Sequence, residues 1–302
     1  MPGLLFGVFL DVVVPVFGMV ALGYLVGPRL KLEARTLSRA AFYLFVPAFV
    51  FDVISKTPID PVSASRMAGF VLFSSALFSL LGWLAARALG CSRHMTAAFI
   101  MTATFGNVGN FGLALINFRL GPEGLAPATI YFVLINIVAF GTCVVAAAWA
   151  RGGGARAILS VFKTPGLVAV IPAALVAWGD VALPATVTRS VGLLSQAMIP
   201  VMLLALGLQL AGAASLKITR EEVVATGLRL LAAPALAWAT IGWFGITGMD
   251  RAAGIIQCGM PVAVLVSIVS IEYDVAPDFV TSTVFFSTLC SLPTLTLLLA
   301  VV

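Results

Sequence analysis

The chain has 302 residues, of which 61% are hydrophobic and 10% charged, and its mean hydropathy is +1.13. So few charges cannot cover a water-soluble fold, so the apolar surplus faces lipid. The formal net charge of +5 then marks membrane topology rather than a nucleic-acid surface, and nucleic acid is excluded as a partner.

A helix needs about 20 residues to cross the bilayer core. Apolar runs bounded by charges, Pro or Gly predict ten spans, at 4–27, 36–55, 66–89, 95–119, 124–150, 164–179, 185–211, 221–246, 250–272 and 276–301. The first has no basic lead-in, since the first cation is Arg29, so it is expected to be a span and not a cleavable signal. The second carries Pro47 in LFVPAFVF. Asp11 and Asp52 fall toward the outer ends of spans 1 and 2, where they could line a vestibule; Asp52 also lies one turn from Lys56 and could pair with it. His94, beside Arg93 in a loop, is expected at the surface.

The fourth span contains TFGNVGNFGLAL, with Asn107 and Asn110 set among Gly106, Gly109 and Gly112. Gly costs a helix about 1 kcal/mol relative to Ala, and buried amides need partners. The stretch therefore predicts a broken helix that faces protein or a water-filled cavity rather than lipid. Tyr131 and Asn136 in the fifth span are candidates for the same cavity. RGGGAR opens a cytoplasmic linker at 151–163, dividing the chain into 1–150 and 164–302. The seventh span carries Pro200, and the eighth carries Arg229 about two turns from its inner end. Arg229 reads more as a side chain snorkelling to the cytoplasmic surface than as an attractor of anions. In the ninth span, CGMPVAVL places Gly259 and Pro261 four residues or fewer from Gln257, predicting a second break.

With the amino terminus outside, twelve of the seventeen Lys and Arg residues lie on inner loops and span ends. Ten spans then leave both termini outside the cell (inner) membrane. The punctuation also repeats: Pro47 with Pro200, the Asn-Gly break with Gly259–Pro261, and Tyr131-Phe132 with Phe285-Phe286, all at nearly one offset. A duplicated unit with an odd number of spans must insert upside down, which is a transporter architecture. Two breaks from inverted halves would meet near the bilayer centre, where half-helix N-termini offer free N–H groups and a positive dipole end to an anion. No carboxylate lies at either break, which favours an organic anion over a cation. The isolated Cys91, Cys143, Cys258 and Cys290 have no metal or redox spacing, and neither cofactor nor metal is expected.

GNVGNFGLAL followed by GPEGLAPATIYFVLIN, YLFVPAFVFDVISK, and MPVAVLVSIVSIEYDVAPDFVTSTVFFSTLCSLPTL together resemble spans 4–5, 2 and 9–10 of the auxin efflux carrier family of permeases, in the expected order. The resemblance implies an all-α membrane protein of ten helices in two inverted five-helix repeats, with two crossed, broken helices in spans 4 and 9. It implies a scaffold of spans 1, 2, 6 and 7 that also forms a homodimer interface, and a moving unit of spans 3–5 and 8–10. It implies alternating access and a small organic anion as substrate, auxin-like or a dicarboxylate such as malate or malonate. Family members commonly have proline where this chain has Ala114, so the first break is expected to be looser than the second. The substrate-binding candidates are Asn107, Asn110, Asn136, Tyr131 and Gln257. The helix-break candidates are Gly106, Gly109, Gly112, Gly259 and Pro261. Two alternatives remain: a Na⁺-coupled symporter of bile-acid-symporter type, and an intramembrane enzyme. The second is disfavoured because no nucleophile–base pair or paired acids occur within the spans.

Overall fold

The computed structural model describes residues 2–56, 60–152, 165–179, 181–212 and 218–302. Of the expected linker at 151–163, Arg151 and Gly152 form a turn and the remainder lies outside the described residues. Helix α1 (Pro2–Val8) passes through a wide π turn at Phe9–Val13 into α2 (Val14–Val26), and α3 (Ala34–Ala40) passes through another at Ala41–Phe45 into α4 (Val46–Lys56). Next come α5 (Pro61–Ala88) and α6 (Arg93–Thr104). A break and a π turn at Val108–Gly112 lead into α7 (Leu113–Ala150). Helices α8 (Pro165–Trp178) and α9 (Ala185–Ala211) follow. Helix α10 (Arg220–Gly227) continues through a π turn at Leu228–Ala232 into α11 (Ala233–Thr240). The chain ends with α12 (Gly248–Cys258), α13 (Val264–Glu272) and α14 (Pro277–Val301).

The described residues are thus all-helical apart from one isolated β-bridge. Seven helical stretches among them are long and apolar enough to cross a membrane. One of these, Val108–Ala150, holds a left-handed residue at Gly121 (φ 72°, ψ −170°), where the chain changes direction. The expected boundary between spans 4 and 5 falls at this glycine.

Three of the four π turns among the described residues have one chemical cause. Pro15, Pro47 and Pro234 each follow such a turn by two residues. Proline has no N–H to give, and its ring collides with the carbonyl four residues back. The helix widens to make room, and Val14, Val46 and Ala233 donate instead to the carbonyl five residues back, at Phe9, Ala41 and Leu228. The fourth turn, Val108–Gly112, has Ala114 at the equivalent place. It keeps the same wide form, with Leu113 donating to Val108, although no proline enforces it.

Helix α2 packs along α9, α4 lies against α8 and α9, and α5, α6, α7 and α12 pack together. The α2–α9 contact is backbone on backbone. A Cβ at Gly207 would collide with the carbonyl of Val20, and one at Gly23 with that of Leu204. Small residues permit this approach, which supplies the dispersion contacts that hold helices together where lipid removes the hydrophobic drive. The edge-on pair Phe17–Phe111, with centroids 5.0 Å apart, joins α2 to the first break. Asp60 caps α5 by accepting from the Val62 and Ser63 N–H groups; chiefly the Ser63 bond holds its carboxyl below the usual value. Nearby, Lys56 and Asp52 form an ion pair at 2.5 Å, the pairing that their one-turn spacing allows.

Gly207→Val should therefore overpack α2 against α9 and lower the melting temperature in detergent by about 5 °C or more. Gly192→Val, on the same helix in open space, should leave it unchanged.

Candidate functional site: the paired helix breaks

Helices α6 and α12 both stop inside the protein, and the chain segments that follow them meet. The Asn107 N–H donates to the Pro261 carbonyl at 2.7 Å, and the Ala263 N–H donates to the Phe105 carbonyl at 2.8 Å. These bonds make an antiparallel bridge between Gly106 and Val262. Each break thus satisfies main-chain groups that the other has freed, as the absence of water in hydrocarbon requires. Ser287 of α14 adds a third support by accepting from the Val262 N–H at 3.1 Å.

The carbonyl ends of both stopped helices converge on Arg229. Its guanidinium donates to Ala103 at 3.0 Å, to Cys258 at 2.9 Å and to Met260 at 2.8 Å. The side chain is 1% exposed and lies 5.7 Å from the centre of the Phe78 ring. It does not snorkel, which corrects the expectation from sequence. Three carbonyls in the interior hold it there more strongly than the distant surface could. Gly106 is required at this point because a Cβ would overlap the guanidinium.

The opposite ends of the continuing helices remain unpaired. Among the described residues, the Gly109 and Asn110 N–H groups at the start of the first continuation have no main-chain acceptor. The same holds for the Val264 and Leu265 N–H groups at the start of α13. All four residues line a cavity of about 1630 Å³. The cavity runs from the bridge to the face that bears Arg35, Arg39 and Asp278. Its deep wall is largely apolar, with Phe105, Val108, Phe132 and Met202.

The candidate residues divide into two groups. Asn107, Asn110 and Asn136 line the cavity. Asn107 is buried, and its amide nitrogen has no partner. Asn136 gives its amide N–H to the Phe132 carbonyl at 2.6 Å. Tyr131 and Gln257 do not line the cavity. Tyr131 is buried behind it, with its hydroxyl 3.2 Å from Cys258 Sγ, and its neighbour Phe132 takes the cavity face. Gln257 is fully buried and donates to the Ala128 carbonyl at 3.2 Å. Its amide oxygen fills the space over Gly112, where a Cβ would overlap it. The remaining glycines are equally constrained: Gly109 lies against Phe132 and Gly259 against Leu298. At the first break, the Asn107 carbonyl accepts from both Phe111 and Gly112 at 3.2 Å. That shared acceptor holds the wide turn in place of the missing proline.

The Gly112–Gln257 contact predicts non-additive stability. Gly112→Ala should lower the melting temperature, and Gln257→Ala in the same chain should recover part of the loss. The coupling in a double-mutant cycle should be on the order of 1 kcal/mol; strictly additive effects would contradict the contact.

A family model described as membrane transport protein matches residues 8–152 and 154–299. The chain is 25% identical over 293 residues to an uncharacterized transporter of Methanothermobacter thermautotrophicus, covering 95% of this chain and 96% of that one. It is also 25% identical over 302 residues to a protein of Rhizobium meliloti provisionally named a malonate transporter, covering 95% and 93% respectively. Matched over nearly its whole length, the chain belongs to this membrane transport family, the auxin efflux carrier family that its motifs resemble, and is a multi-pass membrane transporter rather than an enzyme.

Proposed function

We propose that the chain is a secondary transporter of a small organic anion, carried at the paired breaks by alternating access. One observation carries this reading: two helix N-termini open on a cavity, and neither break segment, 105–113 or 259–265, contains a carboxylate, while Glu221, Glu222 and Asp278 line the same cavity elsewhere. Each N-terminus carries roughly half a positive charge, and together they suit about one unit of negative charge. Asn107, with its unpaired amide, and Asn110 hydrogen-bond the anion, and Asn136 borders it. An unpaired buried amide costs about 1–3 kcal/mol, which a bound carboxylate would offset. Tyr131 and Gln257 act behind the wall, shaping the breaks without touching substrate. The aromatic and aliphatic wall accepts the carbon skeleton. The malonate named for the Rhizobium meliloti relative is one carboxylate of suitable size.

The wider architecture we propose has ten spans in two inverted repeats, residues 1–150 and 164–302. The stretch Val108–Ala150 would be about 65 Å long if straight, twice the bilayer core, so it folds back at Gly121 and counts as parts of two spans. Spans 4 and 9 are each made of two pieces too short to count alone. Helices α1–α4, α8 and α9 form the scaffold and a homodimer interface, and the remainder moves in an elevator-like manner. With both termini outside the inner membrane, the cavity is open toward the cytoplasm.

Purified protein in proteoliposomes should take up radiolabelled malonate or an indole carboxylate. Asn107→Ala and Asn110→Ala should each abolish that uptake while leaving expression and monodispersity unchanged. Full transport by both variants would overturn the assignment of the site.

A further inference from the structure

Two helices that end side by side in a low-dielectric interior leave a concentration of negative potential. Each C-terminus carries roughly half a negative charge on its free carbonyls. Left bare, the Ala103, Cys258 and Met260 carbonyls would form an oxygen cluster of the kind that binds a small cation. Arg229 already occupies that cluster with bonds of 2.8–3.0 Å. Among the described residues no carboxylate pairs with it, and the one ion pair is Lys56–Asp52. The charge of the guanidinium is therefore balanced by the carbonyl ends of the helices and not by an acid.

From this geometry we infer that Arg229 is a built-in cation that neutralises the carbonyl ends of the breaks, so that the site assembles without a bound metal cation. It rests in part on the proposed transport of an anion, because neutralising the carbonyl ends leaves the N–H ends free to attract one. Arg229 is a positioning residue. It touches the backbone that forms the site and lies behind Gly106, which lines the cavity. Among the described residues that line the cavity the only cations are Arg35 and Arg39, and both are exposed.

The test begins with ligand-free protein in detergent, so that it stands apart from transport. The melting temperature of the unaltered protein should be the same in sodium chloride and in choline chloride at equal ionic strength. Arg229→Ala exposes the three carbonyls and should melt at least about 5 °C lower. Low-millimolar guanidinium, or sodium ion in place of choline, should recover half or more of that loss in the variant and have no such effect on the unaltered protein. Arg229→Lys, which keeps the charge but has one nitrogen to share among three acceptors, should fall between the two. A sodium-dependent shift in the unaltered protein would overturn the inference. So would an Arg229→Ala variant that responds to neither cation. If that variant does not fold, the comparison of Arg229→Lys with the unaltered protein decides: a lysine variant that gains no stability from either cation and melts as the unaltered protein does would overturn it. Failure of anion uptake in proteoliposomes, with cation rescue intact, would remove the transport proposal and leave the role of Arg229 standing.

Discussion

A membrane interior offers no water to a free N–H or C=O. A helix interrupted at that depth must place each released group on protein, and this constraint organises the centre of the molecule. The two breaks here serve each other through the Gly106–Val262 bridge. What the bridge leaves over is sorted by sign. Surplus carbonyls turn toward a buried guanidinium, and surplus N–H groups turn toward a cavity. The two kinds of dipole end are thereby separated, the carbonyl ends against the guanidinium and the N–H ends at the cavity wall.

The glycines and wide turns follow from the same constraint. Gly106 admits the guanidinium, Gly112 admits the Gln257 amide, and Gly109 admits the Phe132 ring. Each is small because another group needs the volume, not because the chain must bend there. Backbone freedom is required elsewhere, at Gly121, where φ is positive and a long apolar helical stretch kinks. The π turns re-aim helices where proline cannot donate. Three of them lie outside the first break, and the fourth at Val108–Gly112 lies within it. Without proline its wide form is held by the bifurcated Asn107 carbonyl together with the Leu113 bond to Val108.

Much of this was legible in the residues. Glycines and amides in an apolar run signal a break, and Gly259 with Pro261 signals its counterpart, because both violate helix preference where propensity is otherwise uniform. The side chains around the breaks were less legible. Tyr131 and Phe132 are adjacent, and a rotation of about 100° decides which one faces the cavity. The kink at Gly121 sets that rotation, and no periodicity in an evenly apolar helix reveals it. From sequence Arg229 reads toward the surface, because one arginine nine residues into a span satisfies snorkelling and burial equally well. The distinguishing fact is the convergence of Ala103, Cys258 and Met260, which come from two segments far from Arg229 in the chain. Gln257 was expected at the cavity because a polar residue near a break looks like a ligand contact. Instead it donates to the Ala128 carbonyl, and its amide oxygen takes the space that a side chain at Gly112 would need, an arrangement that leaves no trace in either residue type.

The bridge also bears on how such a chain is made. Gly106 and Val262 lie more than half the chain apart, and Arg229 lies between them in sequence. During synthesis the first break enters the membrane well before its counterpart exists. Through that interval the Phe105 carbonyl, the Asn107 N–H and the Ala103 carbonyl have none of their final acceptors or donors. Until then they are met by water, by other protein, or by an uninterrupted helix through the glycines, which no proline forbids. The paired geometry of the centre therefore forms only after the second half has been made, so completion of the chain, rather than insertion of any one helix, is the event that shapes the site.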